Sequence, residues 1–263
     1  MNRWKRSLVP TLAVLAFLVA WHVAVRWFEV PAYLLPGPDA VARSAWTLYS
    51  TGLIFPHISM TLQEVVLGYA AGCVVAVVLG ALVSEFELLE RTLSAFIVGF
   101  QSMPKVALAP LLLVWFGFDL ASKVVLVGLI CFFPMFVNTV SGLKSANPEL
   151  IDLYRACSSP RWLIFFDVRL PSAAHSMFAG LQIAIVMALL GAVVGEFVAA
   201  RQGLGYLIQA SAVNFDVGAM FASIFTLSVI GILANGLVQF ARRKVIYWDR
   251  KTASAAGAPV DGY

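Results

Sequence analysis

Residues 146–171 read ANPELIDLYRACSSPRWLIFFDVRLP, a charged loop between two apolar stretches. Asn147, Pro148 and Glu149 stand as N-cap, first-turn proline and first-turn acid, the ordinary opening of a helix. That helix is expected to run from Pro148 to about Cys157. Ser158-Ser159-Pro160 then restarts a second one, carrying Trp162, Leu163, Phe165, Phe166 and Val168, with its stop expected near Leu170-Pro171.

Outward from this loop the chain turns apolar on both sides. Of 263 residues 61% are hydrophobic and 12% charged, and the mean hydropathy is +0.88, so too little polar surface exists to wrap a soluble globule. A water-soluble enzyme is excluded. A bilayer takes about 20 apolar residues per helix, and uncharged windows of that size run Ser7 to Val25, Val65 to Ser84, Val124 to Leu143, Leu170 to Gly195 and Val217 to Ala241. A sixth, Thr92 to Phe118, is interrupted only by Lys105. The expected fold is an all-α membrane protein of six transmembrane helices.

The basic start at Arg3, Lys5 and Arg6 leads into Trp21, His22 and Trp27 with no small-x-small cleavage site, so an uncleaved first helix is expected. Cys73, Cys131 and Cys157 are odd in number, and two lie in apolar windows, against a disulfide framework. His22, His57 and His175 are too scattered for a local metal motif. The basic balance is read as membrane topology, with no nucleic-acid partner.

With six spans both termini share a side. Thirteen lysines and arginines fall on that side: Arg3, Lys5, Arg6, Arg91, Lys144, Arg155, Arg161, Arg169, Arg242, Arg243, Lys244, Arg250 and Lys251. Arg26, Arg43, Lys123 and Arg201 fall on the other, and Lys105 lies within a span. The bias places both termini in the cytoplasm. The outer loop holds Leu35-Pro36-Gly37-Pro38, a turn signal, and an amphipathic stretch from Asp39 to Tyr49 expected as a short surface helix. The organisation is then residues 1–57 as first span and outer segment, 58–242 as a five-helix core holding the cytoplasmic loop 144–172, and 243–263 as a disordered tail.

The loop resembles the signature of permease subunits of bacterial ABC importers: Glu-Ala-Ala, three residues, Gly, nine residues, Ile, one residue, Leu-Pro. On this chain the positions fall at Asp152, Leu153, Tyr154, Ser158, Val168, Leu170 and Pro171. The spacing holds, while Leu153, Tyr154 and Ser158 depart from the letters. The chain is further similar to the nitrate, sulfonate and taurine type of permease, with relatives for vitamin precursors. That likeness rests on Leu35-Pro36-Gly37-Pro38, Pro104-Lys105-Val106-Ala107-Leu108-Ala109-Pro110 with Trp115-Phe116-Gly117, Phe132-Phe133-Pro134 with Asn138-Thr139, and Glu196 with Gly203-Leu204-Gly205.

The resemblance implies a MetI-like permease fold in the inner membrane and a pore formed with a second copy. It also implies a periplasmic or lipid-anchored solute-binding protein and two ATPase subunits that hold ATP and Mg. This chain carries no cofactor or metal of its own in that scheme, and no Gly-x-x-x-x-Gly-Lys-Ser/Thr loop occurs in its sequence. Coupling to the ATPase falls to Glu149, Leu150, Asp152, Leu153, Tyr154, Ala156, Cys157, Ser158, Leu170 and Pro171, the helix-in-groove mode of recognition. The bland alternative is an amphipathic helix resting on the membrane.

Gly68, Gly72, Ala76 and Gly80 recur every four residues, as do Gly180, Ala184, Ala188 and Ala192. Such faces let helices approach closely in lipid, within one chain, at a dimer contact or along a pathway wall. Pro104, Lys105, Pro110, Asn138, Gly191, Gly195 and Glu196 are the candidates for pathway or gate. Lys105 must face a partner or water, and Glu196, near the outer surface, is either solvated or a gate. The function expected is uptake of a small anion or vitamin-precursor-like solute by alternating access. The rival is an ion-coupled secondary transporter, disfavoured because no internal repeat is found. A reporter enzyme active only outside the cytoplasm should be silent when fused after Arg243 or within 144–169, and active within 203–216; the reverse pattern would invert the topology.

Overall fold

The structure, a computed structural model, describes residues 3–86 and 103–247, together with Thr92 and Gly99. Every described element is helical. In chain order these are α1 (Arg3–Trp27), α2 (Pro38–Ser50), α3 (Ile54–Glu85), a 3-10 turn (Lys105–Leu108), α4 (Ala109–Phe116), α5 (Leu120–Lys144) and α6 (Pro148–Ala156). They are followed by α7 (Arg161–Ile164), a π turn (Phe165–Arg169), α8 (Leu170–Ala199), α9 (Leu204–Val213) and α10 (Val217–Val245).

Four described helices are long and apolar enough to cross a bilayer: Ile54–Glu85, Leu120–Lys144, Arg161–Val198 and Val217–Val245. Among the described residues these four are fewer than the expected six. The first expected span lies in α1, whose apolar part among the described residues is Leu15–Trp27, short of the roughly 20 residues a bilayer needs. In the third, residues 93–98 and 100–102 lie outside the described residues, as does the expected disordered tail from residue 248 onward. From Met103 the backbone bends, makes the 3-10 turn and becomes a helix only at Ala109. Lys105 thus sits in a turn and not within a continuous span, because Pro104 and Pro110 each remove a backbone donor.

The expected stop at Leu170-Pro171 is also corrected. The chain runs as one 38-residue helix from Arg161 to Val198. An interior proline removes the bond to the fourth preceding carbonyl, and its ring presses on that carbonyl. Here the turn widens just before Pro171, so that Leu170 N–H bonds the Phe165 carbonyl, five residues back. The helix absorbs the proline and continues.

The chain divides into two compact units: Met1–Thr61 with Ala200–Val229, and Leu62–Ala199 with Ile230–Tyr263. In the first, the expected surface helix appears as α2, with Pro38 in its first turn and Arg43 paired to Asp39 at 3.0 Å. Tyr49 hydroxyl meets Thr226 Oγ1 at 3.0 Å, and the Trp21 and Phe221 rings lie 5.8 Å apart. Asp216 caps α10 by accepting from Ala219 N–H at 2.9 Å.

In the second unit the small-residue faces of α3 and α8 both press on α5. A Cβ at Gly72 would fall on the Gly128 carbonyl and 2.9 Å from its Cα; one at Gly80 would lie 3.0 Å from Thr139, and one at Gly180 2.8 Å from the Asn138 Cβ. Ala76, Ala184, Ala188 and Ala192 have no exposed surface. The close approach lets side chains reach across backbones, Tyr69 hydroxyl to the Leu181 carbonyl at 3.1 Å and Cys131 thiol to that of Ala184 at 3.2 Å. Gly72→Leu should therefore force α3 from α5 and lower stability by about 1–3 kcal/mol, read by thermal unfolding of the reconstituted chain. Gly236→Leu, placed where no atom lies within 4 Å, should leave it unchanged.

Candidate functional site

Two features of the second unit, a loop helix and a buried charge cluster, combine chemistry-bearing residues with defined geometry. The loop helix α6 begins as its sequence dictates. Asn147 Oδ1 accepts from Glu149 N–H at 2.9 Å, Pro148 occupies the first turn, and Glu149 and Arg155 match the helix dipole at its two ends. At the far end Ser158 N–H bonds the Arg155 carbonyl at 2.9 Å and Ser159 N–H bonds that of Tyr154 at 3.0 Å. That pair of bonds is a Schellman cap, which needs a left-handed residue at the turn. Ser158, with φ of 57°, supplies it at the position where the permease signature carries glycine.

The cap turns the chain sharply, so α6 ends one residue short of the expected Cys157. Leu150, Leu153 and Cys157 share one face and are exposed, with Glu149, Asp152, Ala156 and Ser158 also open; Tyr154 is half-buried. Asp152 is drawn to Arg155 at 3.3 Å. Leu170 and Pro171 are half-buried at the start of α8 and stand apart from that face. Where α3 ends, Glu85 Oε1 receives a 2.6 Å bond from Arg169 Nη1 in the π turn.

The charge cluster lies between helices. Lys123 Nζ, on α5, is 3.2 Å from Glu64 Oε1, on α3. Glu196, on α8, is the other charged neighbour of Glu64. Both glutamates have no exposed surface and Lys123 is 3% exposed. Glu196 is thus not solvated near the surface, and Lys123 is not in an outer loop, because α5 begins at Leu120 and carries it inward. Gly195 leaves room for the lysine stem: a Cβ there would sit 3.4 Å from Lys123 Cγ. Gly191, buried nearby on α8, faces Ile130 and Val127. Taking an ion out of water costs several kcal/mol, offset only by close partners. The ammonium pairs with Glu64, and Glu64 in turn neighbours Glu196.

The other expected pathway residues are not brought to this cluster. The Lys105 ammonium lies 4.7 Å above the Phe133 ring, a cation–π contact, and Pro104 and Pro110 are exposed. Asn138 donates to the Pro134 carbonyl at 2.8 Å, within its own helix. Among the described residues no group of three His, Cys, Asp or Glu is placed to hold a metal.

Sequence reasoning missed a further device in the first unit. Gly203 has φ of 126° and ψ of 159°, a conformation nearly closed to other residues, and provides α9 no side-chain cap. The cap comes from α3 instead: Thr61 Oγ1 accepts from Leu204 N–H at 2.8 Å and His57 Nδ1 from Gly203 N–H at 3.1 Å, while the His57 ring stacks on Tyr206. This explains Gly203-Leu204-Gly205 as a backbone motif read by α3.

Apolar spans joined by an exposed, capped loop helix, with charges buried between helices, describe an all-helical membrane protein. Residues 68–247 match the family described as binding-protein-dependent transport system inner membrane component. The chain is 36% identical to the formylaminopyrimidine transport permease protein ThiX of Halalkalibacterium halodurans, over 95% of this chain and all of that one. It is 34% identical to the riboflavin transport system permease protein RibX of Chloroflexus aurantiacus, over 94% and 91%. Its fold resembles the inward-facing MetNI methionine ABC transporter, with a TM-score of 0.60 at 20% identity, covering 74% of this chain and 97% of that one. The chain belongs to this family of bacterial ABC importer permeases, multi-pass proteins of the inner membrane.

If the buried cluster holds α3, α5 and α8 together, Lys123→Met should lower stability by about 3–5 kcal/mol, since Glu64 loses its buried counter-charge beside Glu196. Adding Glu64→Gln and Glu196→Gln should recover most of the loss, read by thermal unfolding in lipid nanodiscs.

Proposed function

We propose that this permease imports a small nitrogen heterocycle, delivered by a solute-binding protein, through a pore formed with a second copy and powered by two separate ATPase subunits. The observation that supports the coupling is the short connection, residues 157–160, between the exposed loop helix α6 and the 38-residue helix Arg161–Val198. At 1.5 Å per residue that helix is about 57 Å long. A push on Leu150, Leu153 and Cys157 by closing ATPases tilts it, and the tilt acts at its far end, where Glu196 stands beside the Glu64–Lys123 pair. Lys123 would exchange one carboxylate for the other as the pathway changes the side it faces, making Glu196, with Gly191 and Gly195, part of a gate. Lys105, Pro104, Pro110 and Asn138 are assigned to the pathway wall on sequence grounds.

The substrate class is supported by the names of two relatives, a formylaminopyrimidine permease and a riboflavin permease, each alike over nearly the whole chain. The cytoplasmic placement of both termini is supported by the charge bias of the loops. A secondary transporter remains the contrasting scheme, and uptake that survives collapse of the proton gradient yet stops on ATP depletion separates the two.

Ala156 is exposed in the last turn of α6, two residues before the Ser158 cap. Ala156→Asp should insert and dimerise normally yet lose transport, because an unpaired charge in a desolvated groove costs several kcal/mol, whereas a solvated substitution stays within about 0.5 kcal/mol. The measurement is co-purification of the ATPase together with uptake into vesicles. Wild-type values for both would mean that α6 merely rests on the membrane.

A further inference from the structure

Two cavities meet at the loop end of the second unit. One is a polar cleft of about 560 Å³ lined by Arg155, Arg161, Arg169, Ser158, Ser159 and Glu85. The other is an apolar groove of about 580 Å³, whose walls include Val78, Ala81 and Leu82 of α3 and Phe165, Phe166 and Leu170 of the opposite helix. Glu85 and Arg161 line both, so the two adjoin.

The charges in the cleft are unevenly committed. Arg169 is held by Glu85 at 2.6 Å. Arg155 meets Asp152 at 3.3 Å, but both are exposed and such pairs hold weakly. Arg161 meets no carboxylate among the described residues. Among the described residues the lining holds three guanidinium groups and one glutamate, with two serine hydroxyls beside them. Planar guanidinium forks match phosphate oxygens two at a time.

We infer that this double cavity binds an anionic glycerophospholipid, its phosphate in the arginine cleft and one acyl chain along the groove. The match is of shape as well as charge. A free phosphate or nucleotide leaves the apolar groove empty, and a zwitterionic lipid brings a second cation against three arginines. Cleft and groove also lie at the same end of two long apolar helices: α3 ends at Glu85 and the helix Arg161–Val198 begins at Arg161. Basic pockets between spans hold anionic headgroups on the same physical grounds. A lipid so placed would bridge α3 to the loop beside α6, a contact separate from the exposed Leu150 and Leu153 face.

The test uses the full chain in nanodiscs with phosphatidylglycerol bearing a photoactivatable acyl chain, followed by mapping of the cross-linked peptides. Label is expected on 77–86 and 161–170, displaced by unlabelled phosphatidylglycerol and about tenfold less by phosphatidylcholine. Arg161→Gln combined with Arg155→Gln should weaken labelling about tenfold, and Ala81→Trp, which fills the groove and leaves the arginines intact, should weaken it as well. Equal labelling from a phosphatidylcholine probe, or unchanged labelling in both variants, overturns the proposal. So does displacement by inorganic phosphate alone, which would make the cleft a free-anion site, or loss of label when ATPase subunits are bound, which would make it a protein interface.

Discussion

A peptide N–H or C=O left unpaired in hydrocarbon costs several kcal/mol, and every spanning segment must satisfy its backbone from within. Proline tests that constraint, and this chain answers it in different ways. Before Pro171 the helix widens into a π turn and runs on. Pro134 stays inside α5, where its own carbonyl receives the Asn138 side chain. At Pro104 the described backbone makes a 3-10 turn, and Pro110 sits in the first turn of α4, where its missing donor is not needed. Where the helix continues, movement at one end reaches the other.

Given helices that pair their own backbones, what remains is how they recognise each other. Lipid offers no hydrophobic drive between apolar surfaces, so association rests on close packing and on polar contacts. Gly72 lets α3 reach the backbone of α5, and that proximity brings Glu64 within 3.2 Å of Lys123. The glycine face and the ion pair are thus one arrangement: widening the helix contact would separate the charges, and removing the lysine would leave the tightest contact beside two bare carboxylates.

The parts of this architecture written in short-range chemistry were legible. Asn147-Pro148-Glu149 specifies a helix start whatever surrounds it, and α6 begins there. Small residues at every fourth position mark faces of close approach, although not which helix they meet. The charge cluster was hidden by the way spans are read. Windows that stop at a charge turned Glu64, Lys123 and Glu196 into edges, each one residue outside an apolar run. That shared position at the ends of three windows was the available signal, since three charges at one depth can meet. The π turn was hidden for another reason: Leu170-Pro171 is a stop signal locally, and only the helix that follows, packed on α5, overrides it. The first expected span, Ser7 to Val25, falls inside α1 (Arg3–Trp27), whereas Lys105 in the third stands in a 3-10 turn that composition does not announce.

The cap of α9 carries a consequence for biosynthesis. Leu204 N–H and its acceptor Thr61 lie 143 residues apart. At about 5–20 residues per second on the ribosome, α3 would wait roughly 7 to 30 s before the turn it caps emerges. During that interval Thr61, buried in the finished protein, stands without Leu204 as its donor. The last hydrogen bonds of the first unit are therefore made by residues that entered the membrane among the earliest, so a nascent chain halted before Gly203 carries a finished α3 whose polar face is still open.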